Sequence, residues 1–186
     1  MTYVRFVQGV IIATPFLIFA YLANNELVPS GTFVVLHAVN ERSAFIDPIQ
    51  PGDRVRPVER DKDGDWVQPI IGDPTYVFVH PQRSFDAVDV DVWFKNTAVP
   101  VVAFGGLAQA DPDVFDLKPL QNLVTNQSPP ERRGNWFVAH VTFDAHVLLP
   151  INRTWKFAIS TPHIKDIGAE VDIGRMDFTF RRKPLF

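Results

Sequence analysis

The chain has 186 residues, with 18 Lys and Arg against 21 Asp and Glu and a formal net charge of −3, so it has no broad electropositive surface for a phosphate backbone, and nucleic acid is excluded as a partner class. It contains no cysteine, which removes a disulfide framework, a thiolate nucleophile and any Cys-based zinc or iron–sulfur site. The 16 prolines and 16 phenylalanines, with only 2 methionines, describe a loop-punctuated β protein.

The first element is "GVIIATPFLIFAYLA", the centre of an uncharged run Phe6–Ala23. That length lies at the lower edge of the roughly 17–25 residues that cross a bilayer as a helix. Arg5 precedes it, and Asn24, Asn25 and Glu26 follow, so the positive-inside rule puts the N-terminus in the cytoplasm and the rest of the chain outside it. A cleavable signal peptide is the competing reading. Cutting after Ala23 would place Tyr21 at −3, and cutting after Ala20 would place Ile18 there; both are too large for the small-residue rule, so a retained anchor over residues 1–26 is expected. Pro15 would kink the helix, which membrane helices tolerate when a neighbour satisfies the freed carbonyl. That points to membrane lipid and integral membrane protein subunits as partners, and makes Pro15 a candidate contact position.

Residues 27–31, with Pro29, Ser30 and Gly31, read as a linker, after which residues 32–186 show β periodicity. Strands are predicted at Thr32–Ala38, Tyr76–His80, "DAVDVDVWF", Val99–Phe104, "FVAHVTFDAHVLL", Trp155–Ser160 and Val171–Arg181. In "DAVDVDVWF", Val88, Val90, Val92 and Phe94 alternate with Asp89, Asp91 and Trp93, one face for the core and one for water. In "FVAHVTFDAHVLL", Phe137, Ala139, Val141, Phe143, Ala145 and Val147 form one face, and Val138, His140, Thr142, Asp144 and His146 the other. In the last strand the apolar parity shifts at Gly174, which predicts a β-bulge. "DPIQPGDRVRPVERDKDGD" and "LVTNQSPPERRGN" read as surface loops. The expected fold class is all-β: an antiparallel β-sandwich, jelly-roll-like, behind one N-terminal transmembrane helix.

The stretches "VPSGTFVVLHAV…SAFIDPIQPGDRV", "GDPTYVFVHPQRSFDAVDVDVWFKN", "FDLKPLQN" and "FAISTPHI…GAEVDIGRMDFTFRR" resemble bacterial membrane-anchored envelope proteins with a galactose-binding-like jelly-roll ectodomain. The resemblance covers nearly the whole ectodomain and rests on strand and turn patterns. It implies the sandwich and a carbohydrate-binding ancestry, and it carries no site residue across.

Candidate chemistry is sparse. "DKDGD" sets Asp61, Asp63 and Asp65 around a glycine, the kind of oxygen-rich turn that can hold calcium. An EF-hand loop from Asp61 would need glycine and glutamate where Trp66 and Gly72 stand, so a hairpin turn is the stronger reading. His140, Asp144 and His146 could chelate a metal from one strand face, but a complete ligand set is missing. No G-x-S-x-G elbow supports a Ser-His-Asp site: Ser84, the serine nearest His80, falls in a loop. The glycines of "VAFGGL" lack a phosphate-loop context and read as a strand end or bulge. Of the four tryptophans, Trp93 and Trp136 break the apolar parity of their strands and are the candidates for a sugar platform or interface anchor. These features favour a non-enzymatic, cofactor-free accessory subunit of a membrane complex, with its sandwich docked on the extracytoplasmic side. The alternative is a membrane-displayed module that binds carbohydrate.

Overall fold

The computed structural model describes residue 7 and residues 12–19, 31–81, 85–96, 98–124 and 129–182. Residues 12–19, Pro15 among them, are helical and exposed. Among the described residues no helix is long and apolar enough to cross a membrane, and the remainder of the predicted span Phe6–Ala23, apart from Val7, lies outside them.

The strands are β1 Thr32–Ala38, β2 Glu59–Arg60, β3 Trp66–Ile70, β4 Thr75–Val79, β5 Ala87–Asn96, β6 Val101–Ala110, β7 Asp113–Asn122, β8 Glu131–Arg133, β9 Trp136–Asp144, β10 Trp155–Ser160 and β11 Val171–Arg181. They form two antiparallel sheets. The seven-stranded sheet runs β2-β3-β11-β5-β9-β8, with β1 also on β11, and the four-stranded sheet runs β4-β10-β6-β7. Alternating side chains explain why they stack. Val88, Val90, Val92 and Phe94 of β5 are fully buried, as are Phe143 of β9 and Phe178 and Phe180 of β11, and they meet Phe104 and Phe157 from the other sheet. The Phe104 and Phe157 rings stack at 5.3 Å, and Phe157 lies 5.3 Å from Phe178. Each such ring contributes about 1.5–3 kcal/mol through burial.

The long strand β11 organises the larger sheet. β5 lies along one side of it. Its other side is divided, with β3 against Val171–Ile173 and β1 against Arg175–Arg181. The predicted bulge falls between these two partners: the β11–β5 register shifts between Ile173 and Arg175, and the Gly174 carbonyl accepts a hydrogen bond from the Val39 amide at 3.1 Å.

Other expectations need correction. β3 contains Pro69, which reads as a breaker, yet Pro69 pairs with Asp172 in the sheet. β7 was hidden because its pairing with β6 slips twice, so its burial does not alternate. The glycines of "VAFGGL" lie inside β6, not at its end. A Cβ at Gly106 would overlap Leu148, and one at Gly105 would press on the Asp116 carbonyl. β9 stops at Asp144, whose side chain accepts the His146 amide at 3.0 Å in a turn. Val147 is therefore 51% exposed rather than part of the core face.

Two predictions follow from this packing. A Cβ at Gly174 would overlap the six-membered ring of Trp136, so Gly174→Ala is expected to destabilise the fold by about 1–3 kcal/mol. Combining it with Trp136→Ala should cost less than the sum of the two changes, read by denaturant titration; strict additivity would refute the contact. His37 is buried on the inner side of β1, its Nδ1 without a hydrogen-bond partner among the described residues. Burial holds its pKa below the ordinary value, against the pull of Glu41 and Asp177. In the window from about 6.5 down to that lower folded value, the unfolded chain takes up a proton that the folded chain refuses. This contribution is therefore complete above the window and is lost as pH falls through it. His37→Leu should flatten the stability–pH slope there, and an unchanged slope would refute the assignment.

Candidate functional site

The outer face of the seven-stranded sheet collects most of the residues that the sequence singled out. Asp89, Asp91, Trp93 and Lys95 alternate outward along β5. Register sets Asp89 opposite Thr142 and Thr179, Asp91 opposite His140 and Asp177, and Trp93 opposite Val138 and Arg175. His140 therefore bonds Asp91 at 2.7 Å and Thr142 donates to Asp89 at 2.7 Å across strands, with a longer contact of 3.5 Å between Thr142 and His140 along β9. Among the described residues no group of three or more His, Asp or Glu is placed to hold a metal ion.

Near the end of β5 this face carries Lys95. Its ammonium donates to Asp61 at 2.5 Å, Asp65 at 2.8 Å and Asp63 at 3.2 Å, and it lies 4.6 Å from the ring centroid of Trp136. The "DKDGD" turn is shaped for this. Gly64 adopts φ 86°, and Asp61 Oδ1 accepts the amides of Asp63 and Asp65, each at 2.9 Å, leaving Oδ2 for the lysine. The three carboxylates considered for calcium thus converge on a cation supplied by the chain itself. Burial works against the charge on Lys95, but the bonds from Asp61, Asp65 and Asp63 outweigh it and hold the ammonium above its ordinary range. Asp61 likewise stays below the usual carboxylate value: burial pushes it up, and the bonds from Lys95 and the two amides prevail.

Trp136 lies between Lys95 and the Gly174 bulge. Trp93 is flanked by the guanidinium groups of Arg133 and Arg175, at 5.5 and 5.8 Å from its ring, and its indole N–H is buried with no partner among the described residues. Both tryptophans are half-buried under cations rather than presented as a bare platform. Trp155 belongs to the core, and Trp66 is exposed beside Arg60.

Beside the Lys95 turn, at the end of the sheet where β2, β3, β5, β9 and β11 meet loops, an open cleft of about 600 Å³ is formed. Glu59, Arg132, Asn135, Glu170 and Asp172 line it with Phe137 and Val67, and Asp61, Asp63 and Lys95 form its turn-side wall. Its five carboxylates outnumber its three cationic side chains, Lys62, Lys95 and Arg132. Burial, reinforced by Glu170 and Asp61, holds Asp172 above the ordinary carboxylate range. Of the lining residues only Asp61 and Asp63 stood out in the sequence. Lys95 lies just past the predicted strand, which ends at Phe94, and its partners lie some thirty residues away in the chain and are joined to it only by the fold.

Two other polar groupings lie outside this cleft. The His80 imidazole bridges Asp47 and Thr154, each at 3.0 Å, and ties a strap to a turn at the edge of the four-stranded sheet; Ser84 lies outside the described residues. On the outer side of that sheet, Tyr76 and Phe115 stack at 5.8 Å with Lys156 against both rings and bonded to Asp113.

Lys95→Met leaves three carboxylates around an uncharged side chain. It should destabilise the fold by about 2 kcal/mol or more, within the range for unpairing a largely buried charge and discounted for the solvent at Asp65. The Lys95→Met/Asp61→Asn pair should show strong coupling in a double-mutant cycle by thermal or denaturant unfolding, and zero coupling would remove Lys95 from its central role.

No family model matches the chain, and no curated protein does. Solved structures that it is similar to include the xylan-binding module CBM15, at 13% identity and TM-score 0.47 over 82% of this chain and 99% of that one. The CBM22-1 xylan-binding domain from Paenibacillus barcinonensis is similar at 8% identity and TM-score 0.46, over 81% and 95%. The C-terminal CBM6 of a marine laminarinase from Zobellia galactanivorans is similar at 13% identity and TM-score 0.45, over 79% and 99%.

Proposed function

We propose that this chain is a non-catalytic module that binds carbohydrate in the cleft beside the Lys95 turn, carried on a jelly-roll sandwich and displayed outside the cytoplasm by its N-terminal apolar segment. The cleft is the observation that carries the reading. Its volume falls in the range of about 300–1,000 Å³ typical of small-ligand sites. Its lining alternates acceptors (Glu59, Glu170, Asp172) with donors (Arg132, Asn135) around Phe137 and Val67. Neighbouring hydroxyls of a sugar ring satisfy such a mixture, and the ring's C–H faces suit the apolar floor. The excess of carboxylates disfavours phosphorylated or otherwise anionic ligands. Lys95 contributes rigidity, because a wall fixed before binding loses little freedom when the ligand arrives.

A panel of neutral oligosaccharides tested against the full chain in detergent should give binding. Arg132→Ala, Asn135→Ala and Asp172→Asn should each weaken it by about tenfold, the loss of one net hydrogen bond at about 1.4 kcal/mol. Because Asp172 holds its proton to higher pH than an ordinary carboxyl, binding that uses its carboxylate should fail first on the acid side, and Asp172→Asn should remove that step. Failure of every sugar to bind, or loss of binding in none of the three variants, would refute the assignment.

The second reading, an accessory subunit of a membrane complex, draws on the helical residues 12–19. Phe16, Leu17 and Phe19 are 71%, 69% and 72% exposed, side chains suited to lipid or to integral membrane protein subunits. Exchanging that segment for an unrelated apolar helix would release the chain from co-purifying subunits on this reading and leave sugar binding unchanged on the first.

A further inference from the structure

The end of the sandwich opposite the cleft has a different chemistry. A row of backbone hydrogen bonds marks it: Arg182 donates to Gly31, Asp86 to Arg181 and Ala145 to Asp86. β5 starts beside this row at Ala87 and ends at the cleft with Lys95 and Asn96, so the two ends lie about 30 Å apart. Gly31, which the apolar segment precedes in the chain, is three strand spacings along the row, about 14–15 Å, from the start of the loop after β9. That loop carries Val147, Leu149 and Ile151, which are 51%, 42% and 46% exposed. Its backbone is nevertheless held. The Leu149 amide donates to the Leu107 carbonyl at 2.7 Å, and Leu148 is buried over Gly106. Ile151 and Thr154 exchange two backbone bonds around a turn in which Asn152 and Arg153 have φ 51° and 64°. The fold thus fixes the chain while leaving three aliphatic side chains outside, the mark of a surface that meets something apolar.

We propose that this loop is a membrane contact: Val147, Leu149 and Ile151 enter the interfacial layer of a lipid bilayer and hold the sandwich upright on it, with the cleft facing away. The proposal rests on the reading that the apolar segment attaches the chain to a membrane, and it adds a second attachment. One attachment leaves a domain free to tilt; a second at the same end fixes its orientation. Charge favours a lipid surface at this end. Residues 145–156 contain no carboxylate, and Arg153 is exposed at the tip of the turn, where a guanidinium can lie among lipid phosphates while its stem covers apolar surface. Of the acids that flank the loop, Asp144 accepts the His146 amide and Asp113 holds Lys156. The cleft end, with its five carboxylates, is the one that an anionic surface repels. The apolar side chains also favour lipid over a protein partner. Residues 145–154 include no Trp, Tyr or Phe, whereas protein interfaces draw their energy from aromatic anchors and use Leu and Val sparingly.

Because the chain has no cysteine, a single introduced one can carry a polarity-sensitive fluorophore at a chosen site of the full chain. L149C reports the loop, L17C the apolar segment, and I167C the opposite end, where Ile167 is 47% exposed. On mixing with vesicles of phosphatidylcholine and phosphatidylglycerol, the L149C label should shift to the blue. A nitroxide near the lipid headgroup should quench it more than one deep in the acyl chain, and the I167C label should keep its emission with both. Adding V147D/I151D to L149C should abolish the quenching and leave the β-sheet circular dichroism unchanged, since both side chains are exposed. An L149C label as indifferent to lipid as I167C would overturn the proposal, as would equal quenching at the two ends or quenching that survives V147D/I151D. L17C tests the underlying reading separately. Quenching at L17C without quenching at L149C sinks the loop contact and leaves the anchor standing, whereas quenching at L149C alone supports the loop contact and removes the anchor.

Discussion

The cleft depends on one half-buried charge. Lys95 stands at the end of β5, where the strand would otherwise offer an ammonium to solvent, and it draws three aspartates of a short turn down onto the sheet. Without that attraction the turn has only its own internal bonds to hold it, and the cleft loses a wall. The same ammonium lies against Trp136, and Trp136 fits only because residue 174 has no side chain. A lysine, a tryptophan and a glycine from three strands thus form one unit in which each explains the others. Such a unit is stable because the charge is matched several times over. Removing one partner leaves the others desolvated and unpaired, which is why buried charges occur in networks more often than in single pairs.

The two sheets are coupled differently at their two ends. Through the middle, phenylalanine rings from both layers interlock, a contact that depends on shape and water exclusion. Near the cleft, the coupling is polar. The buried side chain of Asn96, the last residue of β5, donates to the Val99 carbonyl and to Gln121 of β7, each at 2.8 Å, and accepts the Val99 amide at 2.9 Å. Polar coupling of this kind fixes orientation more sharply than apolar packing does, because a misaligned buried amide has nothing else to bond. The cleft therefore lies beside the part of the sandwich whose geometry is most tightly specified.

Much of the fold was legible in the chain because β structure has a period of two. β1, β10 and β11 were delimited correctly from alternation and flanking turns, and the Gly174 bulge from a single break in parity. β3 and β7 were missed for the converse reason: Pro69 and Pro119 mimic breakers, and β7 pairs through two slips that erase its pattern. The site was much less legible. Asp61, Asp63 and Asp65 stood out as an acidic turn, but the sequence offered no way to see that their counter-ion was Lys95. Trp93 and Trp136 lie on the outward face, but parity reports only the direction of a side chain, not what lies over it, and the cations that cover them come from other strands. The N-terminal segment obeys a different rule, a run of apolar residues, of which residues 12–19 are helical.

The position of β11 governs how the chain can be made. β11 is not an edge of the large sheet but its spine, with β5 on one side and both β1 and β3 on the other. Until residues 171–181 are in place, β1 has no strand partner among the described residues, and β3 has only the two-residue strand β2. Completion of the large sheet therefore waits for β11. Such dominance by distant pairings predicts slow assembly and a long exposure to aggregation. Loss of residues 171–181 would therefore remove the centre of the sheet rather than its border.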